Sequence, residues 1–201
     1  MNEKNEPETT SADIERFDKW AATYDQSIAQ YWFFGPIHKK MLGMLIREWT
    51  QSPPGCILDV GCGTGRLLRA ASVHWPEAQL FGVDPAPHMI AEASRLNPTA
   101  TFKVAQGEAI PFPDQSIDVV MSSLSFHHWV DHQKAVHEIA RVLRPGGVFC
   151  LADHIFLLSK LWGEKVKSRQ EIRTLMLNAG LTVRRHKGMG IRFVLITLAQ
   201  K

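Results

Sequence analysis

Cys56-Ile57-Leu58-Asp59-Val60-Gly61-Cys62-Gly63-Thr64-Gly65 is where the chain changes its hydrophobic period. A short apolar run that ends in glycines is the pattern of a strand buried on both faces of a parallel sheet. Behind it a helix is expected from Arg66 to His74. A loop between such a strand and its helix lies where an open parallel sheet exposes a crevice, at the carboxyl ends of its strands. There the glycines allow positive φ and close approach of a ligand to the backbone, and the helix N-terminus offers unpaired N–H groups. What the loop lacks constrains the ligand. Its sixth position is Arg66, so the G-x-G-x-x-G dinucleotide fingerprint fails, and no Gly-Lys-Ser/Thr follows for a phosphate loop. Asp59, just before the glycines, would repel a pyrophosphate and attract a cation or an ammonium group. The loop therefore favours a ligand with a positive end and no phosphate.

The alternation continues outward from this loop. Further strands are expected at 80–84, 101–105, 117–122 and 148–152, with helices at 87–96 and 132–143. Met89, Ala93 and Leu96 share one face of the first helix, and Ala135, Val136, Ile139, Val142 and Leu143 share one face of the second. Arg144-Pro145-Gly146-Gly147 is expected to turn the chain into the fifth strand. Repeated alternation predicts an α/β, doubly wound Rossmann-like fold with helices on both faces of a mostly parallel sheet. The ending differs: a helix at 168–178, stopped by Gly180, precedes strands at 181–185 and 191–198. Their Gly188-Met189-Gly190 link is too short for a parallel crossover, so they are expected to form an antiparallel hairpin. Upstream, helices at 13–27 and 37–49 flank the aromatic patch Tyr31-Trp32-Phe33-Phe34. The expectation is a frayed tail at 1–12 and a single domain at 13–201, made of an N-terminal helical cap at 13–50 and a core at 55–201.

Composition narrows the class. At 201 residues, with 45% hydrophobic and 21% charged residues, the chain suits one globular domain. A net charge of +3 is too small to predict nucleic-acid binding. No long apolar run predicts a membrane span, and the polar start at Met1–Asp13 lacks a signal-peptide pattern. Cys56, Cys62 and Cys150 form neither a zinc pattern nor a disulfide framework, which points to a reducing, cytoplasmic setting. No metal ligand set is visible, and the oligomeric state stays open.

Ile57-Leu58-Asp59-Val60-Gly61-Cys62-Gly63-Thr64-Gly65 resembles the first motif of the class I S-adenosylmethionine-dependent methyltransferases. Its companions resemble that family in the right order: Phe81-Gly82-Val83-Asp84, Glu108-Ala109-Ile110-Pro111-Phe112, Ser116-Ile117-Asp118-Val119-Val120 and Arg141-Val142-Leu143-Arg144-Pro145-Gly146-Gly147. The resemblance covers residues 55–152 well and the ending more loosely; it implies seven strands in all. Within the family the chain is similar to the small-molecule enzymes of ubiquinone and menaquinone biosynthesis, whose N-terminal pattern is echoed by Phe17, Trp20-Ala21 and Tyr24-Asp25. It implies S-adenosyl-L-methionine as cofactor, S-adenosyl-L-homocysteine as product, and a small-molecule methyl acceptor alkylated at carbon or oxygen.

The resemblance also implies residue roles. Asp59 would face the methionine end of the cofactor, and Gly61, Cys62, Gly63 and Gly65 would line it with backbone. Asp84, at the end of its strand, would accept both ribose hydroxyls, with a helix cap as the plain alternative. Pro85 and Met89 would flank the adenine, and Gln106-Gly107 would meet its amino group. Gln106 stands where many relatives carry Asp, so a neutral acceptor replaces a charged one. Glu108 suits a cap or an ion pair better than a ligand. Ser122, ending the fourth strand, would pass the reactive methyl, and Tyr24 would cover the cofactor, its aromatic face suited to a sulfonium. His127 and His128 are candidate general bases, with His128 favoured, and His154 is a lesser one. The stretch from His154 to Ser168 is too short for the substrate-covering insertion of many relatives, so the roof is expected from the N-terminus or a partner subunit. Nucleic-acid amino-methyltransferases place Asn/Asp-Pro-Pro-aromatic where this chain has Ser122-Ser123-Leu124-Ser125, which speaks against nucleic acid as acceptor. The basic run Arg184-Arg185-His186-Lys187 keeps an RNA methyltransferase as an alternative, and Gln106 with the short roof keeps a non-catalytic binding protein.

Overall fold

The computed structural model describes residues 9–25, 30–49, 52–155, 166–189 and 194–201. Helices α1 (Thr9–Tyr24) and α2 (Gly35–Glu48) flank a π-helical turn at Gln30–Phe34. Then follow β1 (Cys56–Val60), α3 (Arg66–His74), β2 (Gln79–Asp84), α4 (Pro87–Leu96), β3 (Thr101–Val104) and β4 (Ile117–Ser123). A short 3-10 turn at Phe126–His128 leads into α5 (His132–Val142) and β5 (Leu143–His154). The described chain closes with α6 (Arg169–Asn178), β6 (Thr182–Met189) and β7 (Val194–Gln200).

The strands form one seven-stranded sheet in the order β3-β2-β1-β4-β5-β7-β6. β1 through β5 pair in parallel, and β7 is antiparallel to both β5 and β6. This is the expected doubly wound α/β sheet with its C-terminal hairpin. The strand order reverses between β1 and β4, and such a reversal opens the crevice that binds ligands in this class of sheet.

Strand alternation sorts the core into two layers. Leu58, Val60, Val120, Phe149, Leu151 and Leu195 pack against α5 and α6. Ile57, Val119, Met121, Cys150, Ala152 and Ile196 pack against α2 and α3. Helix α1 lies across α4, with Ala21, Ala86 and Met89 buried and Ile14, Phe17 and Tyr24 packed beside them.

Several boundaries differ from the sequence reading. Helix α1 begins at Thr9, inside the stretch read as a tail, and ends at Tyr24; the expected turn to Ser27 lies outside the described residues. Pro36 lies in the first turn of α2, where a missing N–H costs nothing, so the helix starts at Gly35. The larger difference is β5, which begins at Leu143 and absorbs Arg144-Pro145-Gly146-Gly147. The ladder to β4 shifts register between Ile117 and Val119, taking up the extra residues as a bulge. Gly146 has φ of 80° there, and its N–H donates to the carbonyl of Lys201. β6 runs on to Met189, so the expected link is part strand; residues 190–193 lie outside the described ones. Most of the short segment between His154 and Ser168 also lies outside them.

Candidate active site

The carboxyl ends of β1, β2 and β4 open into a cleft with two lobes. The larger, about 860 Å³, is lined by Asp84, Pro85, Met89, Gln106, Gly107 and His128, with Phe17 and Tyr24 of α1 as part of its wall. The smaller, about 360 Å³, is lined by Phe34, His38, Asp59, Cys62, Thr64 and Arg66. Tyr24, Gly61, Gly63 and Ser123 border both.

The glycine loop is built around its left-handed residues. Gly61, Gly63 and Gly65 have φ of 72°, 50° and 74°. A Cβ on Gly61 would lie 2.2 Å from the Ser125 hydroxyl, so loop and β4 exit touch only because that side chain is absent. The first turn of the loop is fixed by Gly61 and Cys62, whose N–H groups both donate to the Val83 carbonyl at 2.8 and 3.0 Å. Gly65 faces neither lobe; a Cβ there would strike Phe102, so its position reflects packing. The Cys62 thiol is buried, and burial holds it well above the usual thiol range, so it stays protonated.

Two carboxylates dominate the electrostatics. Asp84 accepts from Gly63 N–H at 2.9 Å and from Ala86 N–H at 3.0 Å, tying the loop to the entry of α4. Each oxygen retains a further lone pair for a second donor. Burial raises its pKa, and those two N–H bonds oppose the rise. Asp59 is 2% exposed, and its Oδ1 has no hydrogen-bond partner. Burial, reinforced by Asp84, pushes its carboxyl up to about 8. A buried orphan acceptor is costly unless a ligand satisfies it.

Strand alternation decides which serine reaches the cleft. Ser122 points to the other face, fully buried, 2.9 Å from the Ser125 hydroxyl. Its neighbour Ser123, a residue not expected there from the sequence, borders both lobes and has an unpartnered buried hydroxyl. Period two along β4 carried that signal.

The remaining candidates separate in the same way. Glu108 accepts from Val130 N–H and Asp131 N–H at 2.8 and 3.0 Å, an anchor for the entry to α5. Gln106 is exposed at the cleft rim. His128 lines the larger lobe, with Nδ1 3.1 Å from Asp13 of α1 and its ring edge-on to Phe17. Burial and the neighbouring His127 hold it down to about 4, so it is neutral near pH 7. His127 is turned instead toward Asp153: its N–H and Nδ1 lie 2.8 and 2.7 Å from the two carboxylate oxygens. The cap is laced to the loop by Asp25, which accepts from the Thr64 hydroxyl at 2.5 Å and pairs with Arg69. Of the basic run, Arg184 donates to Gln200 and Arg185 pairs with Glu48, on the edge strand far from this cleft in the sheet order. Among the described residues no helix is long and apolar enough to cross a membrane, and the three cysteines are free thiols.

Comparison with known proteins points the same way. A family profile described as "Methyltransferase domain" matches residues 58–151. The malonyl-[acyl-carrier protein] O-methyltransferase of Hahella chejuensis is 31% identical over 194 residues, covering 89% of this chain and 67% of that protein. The demethylmenaquinone methyltransferase of Thermus thermophilus is 38% identical over 101 residues, covering 48% of this chain and 46% of that protein. A solved structure of the complex between the Haloferax volcanii Trm112 methyltransferase activator and a methyltransferase aligns with a TM-score of 0.77 at 23% identity, covering 92% of this chain and 96% of that one. At that identity the likeness is one of fold. The chain spans about half the length of the first curated relatives it matches, 46% and 48%.

Proposed function

The chain belongs to the class I S-adenosylmethionine-dependent methyltransferases, and from that premise we propose that it binds S-adenosylmethionine in the two-lobed cleft and methylates carbon or oxygen of a small molecule. The observation that carries this reading is the pair of acids at the ends of β1 and β2. Asp59 is buried with an orphan oxygen in the smaller lobe, and Asp84 stands at the larger. A ligand with an ammonium group at one end and a diol toward the other answers both.

The residues fit that ligand in order. Asp59, with the neutral His38 and Arg66 beside it, takes the amino-acid end. Gly61, Cys62 and Gly63 give backbone along its length. Asp84 accepts from the ribose hydroxyls; Pro85 and Met89 flank the adenine, and Gln106-Gly107 lie at its polar edge. Tyr24 covers the middle of the cleft, and Ser123 supports this reading better than Ser122. When bound, the cofactor supplies an electrophilic methyl group on a sulfonium. The chain's own work is alignment and exclusion of water. His128 holds the acceptor side of the larger lobe in a neutral form.

The small-molecule acceptor is supported by the names of the relatives, which act on malonyl-acyl-carrier protein and demethylmenaquinone. Engagement of Arg184 and Arg185 with Gln200 and Glu48 weakens the RNA alternative. The free thiols support a reducing compartment, the cytoplasm. Calorimetric titration with S-adenosylmethionine tests the reading. Binding by the folded chain, abolished in Asp84→Ala, is the expected result. No heat of binding in a folded sample would overturn it.

A further inference from the structure

Beside the cleft, three side chains converge that no role above uses together. His127 follows β4, and Asp153 and His154 end β5, so two neighbouring parallel strands deliver them to the same edge. One ligand atom from each lies within 4.8 Å of the others. Asp153 is 2% exposed, and its ion-pair partner among the described residues is His127, whose side chain is 14% exposed. The carboxylate is pre-aimed: it accepts from the backbone N–H of His127 at 2.8 Å and of His154 at 2.6 Å. The rings of His127 and His154 are 5.3 Å apart, and His127 is 4.0 Å from His128, which lines the larger lobe.

From this geometry we infer that His127, Asp153 and His154 form a site for a first-row divalent cation, next to His128 of the larger lobe. Two imidazoles and one carboxylate select zinc, manganese, iron or cobalt over magnesium or calcium, which take oxygen ligands almost alone. Three protein ligands leave coordination positions for a substrate. A carboxylate oxygen has two lone pairs, so Asp153 can ligate while keeping its bonds to backbone N–H groups. Those bonds fix its orientation, the service that outer-shell groups perform in metal sites. On the methyltransferase reading, and resting on it, the ligand of the open positions is an acceptor with an ionisable hydroxyl. The cation lowers the pKa of that hydroxyl, whose proton leaves to water. The sequence hides the set because its members are 26 positions apart.

The test uses the untagged full chain, freed of metal by chelation, titrated with zinc and separately with cobalt by equilibrium dialysis. One equivalent per chain is expected. His154→Ala and Asp153→Asn should each weaken binding at least tenfold, while His137→Ala, on the exposed face of α5, should bind as the parent does. Circular dichroism establishes that each variant is folded. His154 lies at the end of its strand, so that variant decides the matter if Asp153→Asn does not fold. Binding well below one equivalent, or unchanged in His154→Ala, would overturn the site. Titration of the same sample with S-adenosylmethionine separates the two readings: cofactor binding without metal binding sinks only this inference, and metal binding without cofactor sinks the methyltransferase reading and leaves the cation site standing.

Discussion

Binding of S-adenosylmethionine should expel a proton from Asp59. In the free protein that carboxyl titrates at about 8, because burial disfavours its charge and Asp84 adds repulsion. At pH 7, one unit below, about nine carboxyls in ten hold the proton. An ammonium group arriving at Asp59 favours the charged form, so binding at pH 7 should release about 0.9 proton, and at pH 9 about 0.1. Two neighbours of Asp59 do not mimic the signal: Cys62 is held protonated, and His38 is held down to about 4. Deprotonation costs about 1.4 kcal/mol per pH unit below 8. Affinity should therefore rise roughly tenfold from pH 6 to pH 7 and level off above 8. Calorimetry in buffers of different ionisation enthalpy reads the proton count directly. S-adenosylhomocysteine, which keeps the ammonium and lacks the sulfonium charge, should release the same number.

The same carboxyl links folding to pH with the opposite benefit. Its folded pKa lies above the unfolded value of 3.8, so between the two the native state holds the extra proton. Stability should then fall as pH rises from 4 toward 8, by roughly 1.4 kcal/mol per unit where only the native state is protonated. Asp59→Asn should be the more stable protein, increasingly so toward pH 8, and should bind cofactor tenfold or more weakly with no proton release. Proton release at pH 7 that is absent from the parent, or that persists in Asp59→Asn, would refute the reasoning.

Two further perturbations probe the frame around the site. Gly61→Ala should cost about 2 kcal/mol or more, because its Cβ would overlap the Ser125 hydroxyl at φ of 72°. Adding Ser125→Gly should relieve the clash and leave about 1 kcal/mol of left-handed strain, seen as positive coupling in a urea-denaturation double-mutant cycle. Asp118→Ala should lower stability by roughly 1–3 kcal/mol, since one carboxylate oxygen accepts from Gly55 and Cys56 N–H at 2.8 Å and the other from Arg144. Cofactor affinity should be unchanged, because this clamp sits at the amino end of β1, opposite the cleft; thermal melts and calorimetry on one preparation check both halves.

What the sequence makes legible follows from how far each interaction reaches along the chain. β1 and its glycine loop are local: four apolar positions and three left-handed glycines announce themselves within ten residues. Asp84 is legible for the same reason, since the end of a strand beside such a loop defines the crevice. Pro145-Gly146-Gly147 misleads, because its pairing is settled by a residue far along the chain: Gly146 and Gly147 exchange hydrogen bonds with Lys201, a partner no local window contains. Ser123 was within reach. Val119 and Met121 pack toward α2 and α3, so Ser123 shares their face and Ser122 does not. Arg141 looks like an ordinary residue of a helix face, yet it binds Glu138, Asp114 and the carbonyls of Ile110 and Phe112, anchoring the segment that follows Gln106. His127 is the sharpest case. The doubled histidine draws attention to itself, but the two rings have different fates: His128 turns to Asp13 of the cap, and His127 turns to Asp153 at the end of another strand. Identical side chains in adjacent positions are told apart only by the fold: the sheet brings His127 its acid, and the cap helix brings His128 another.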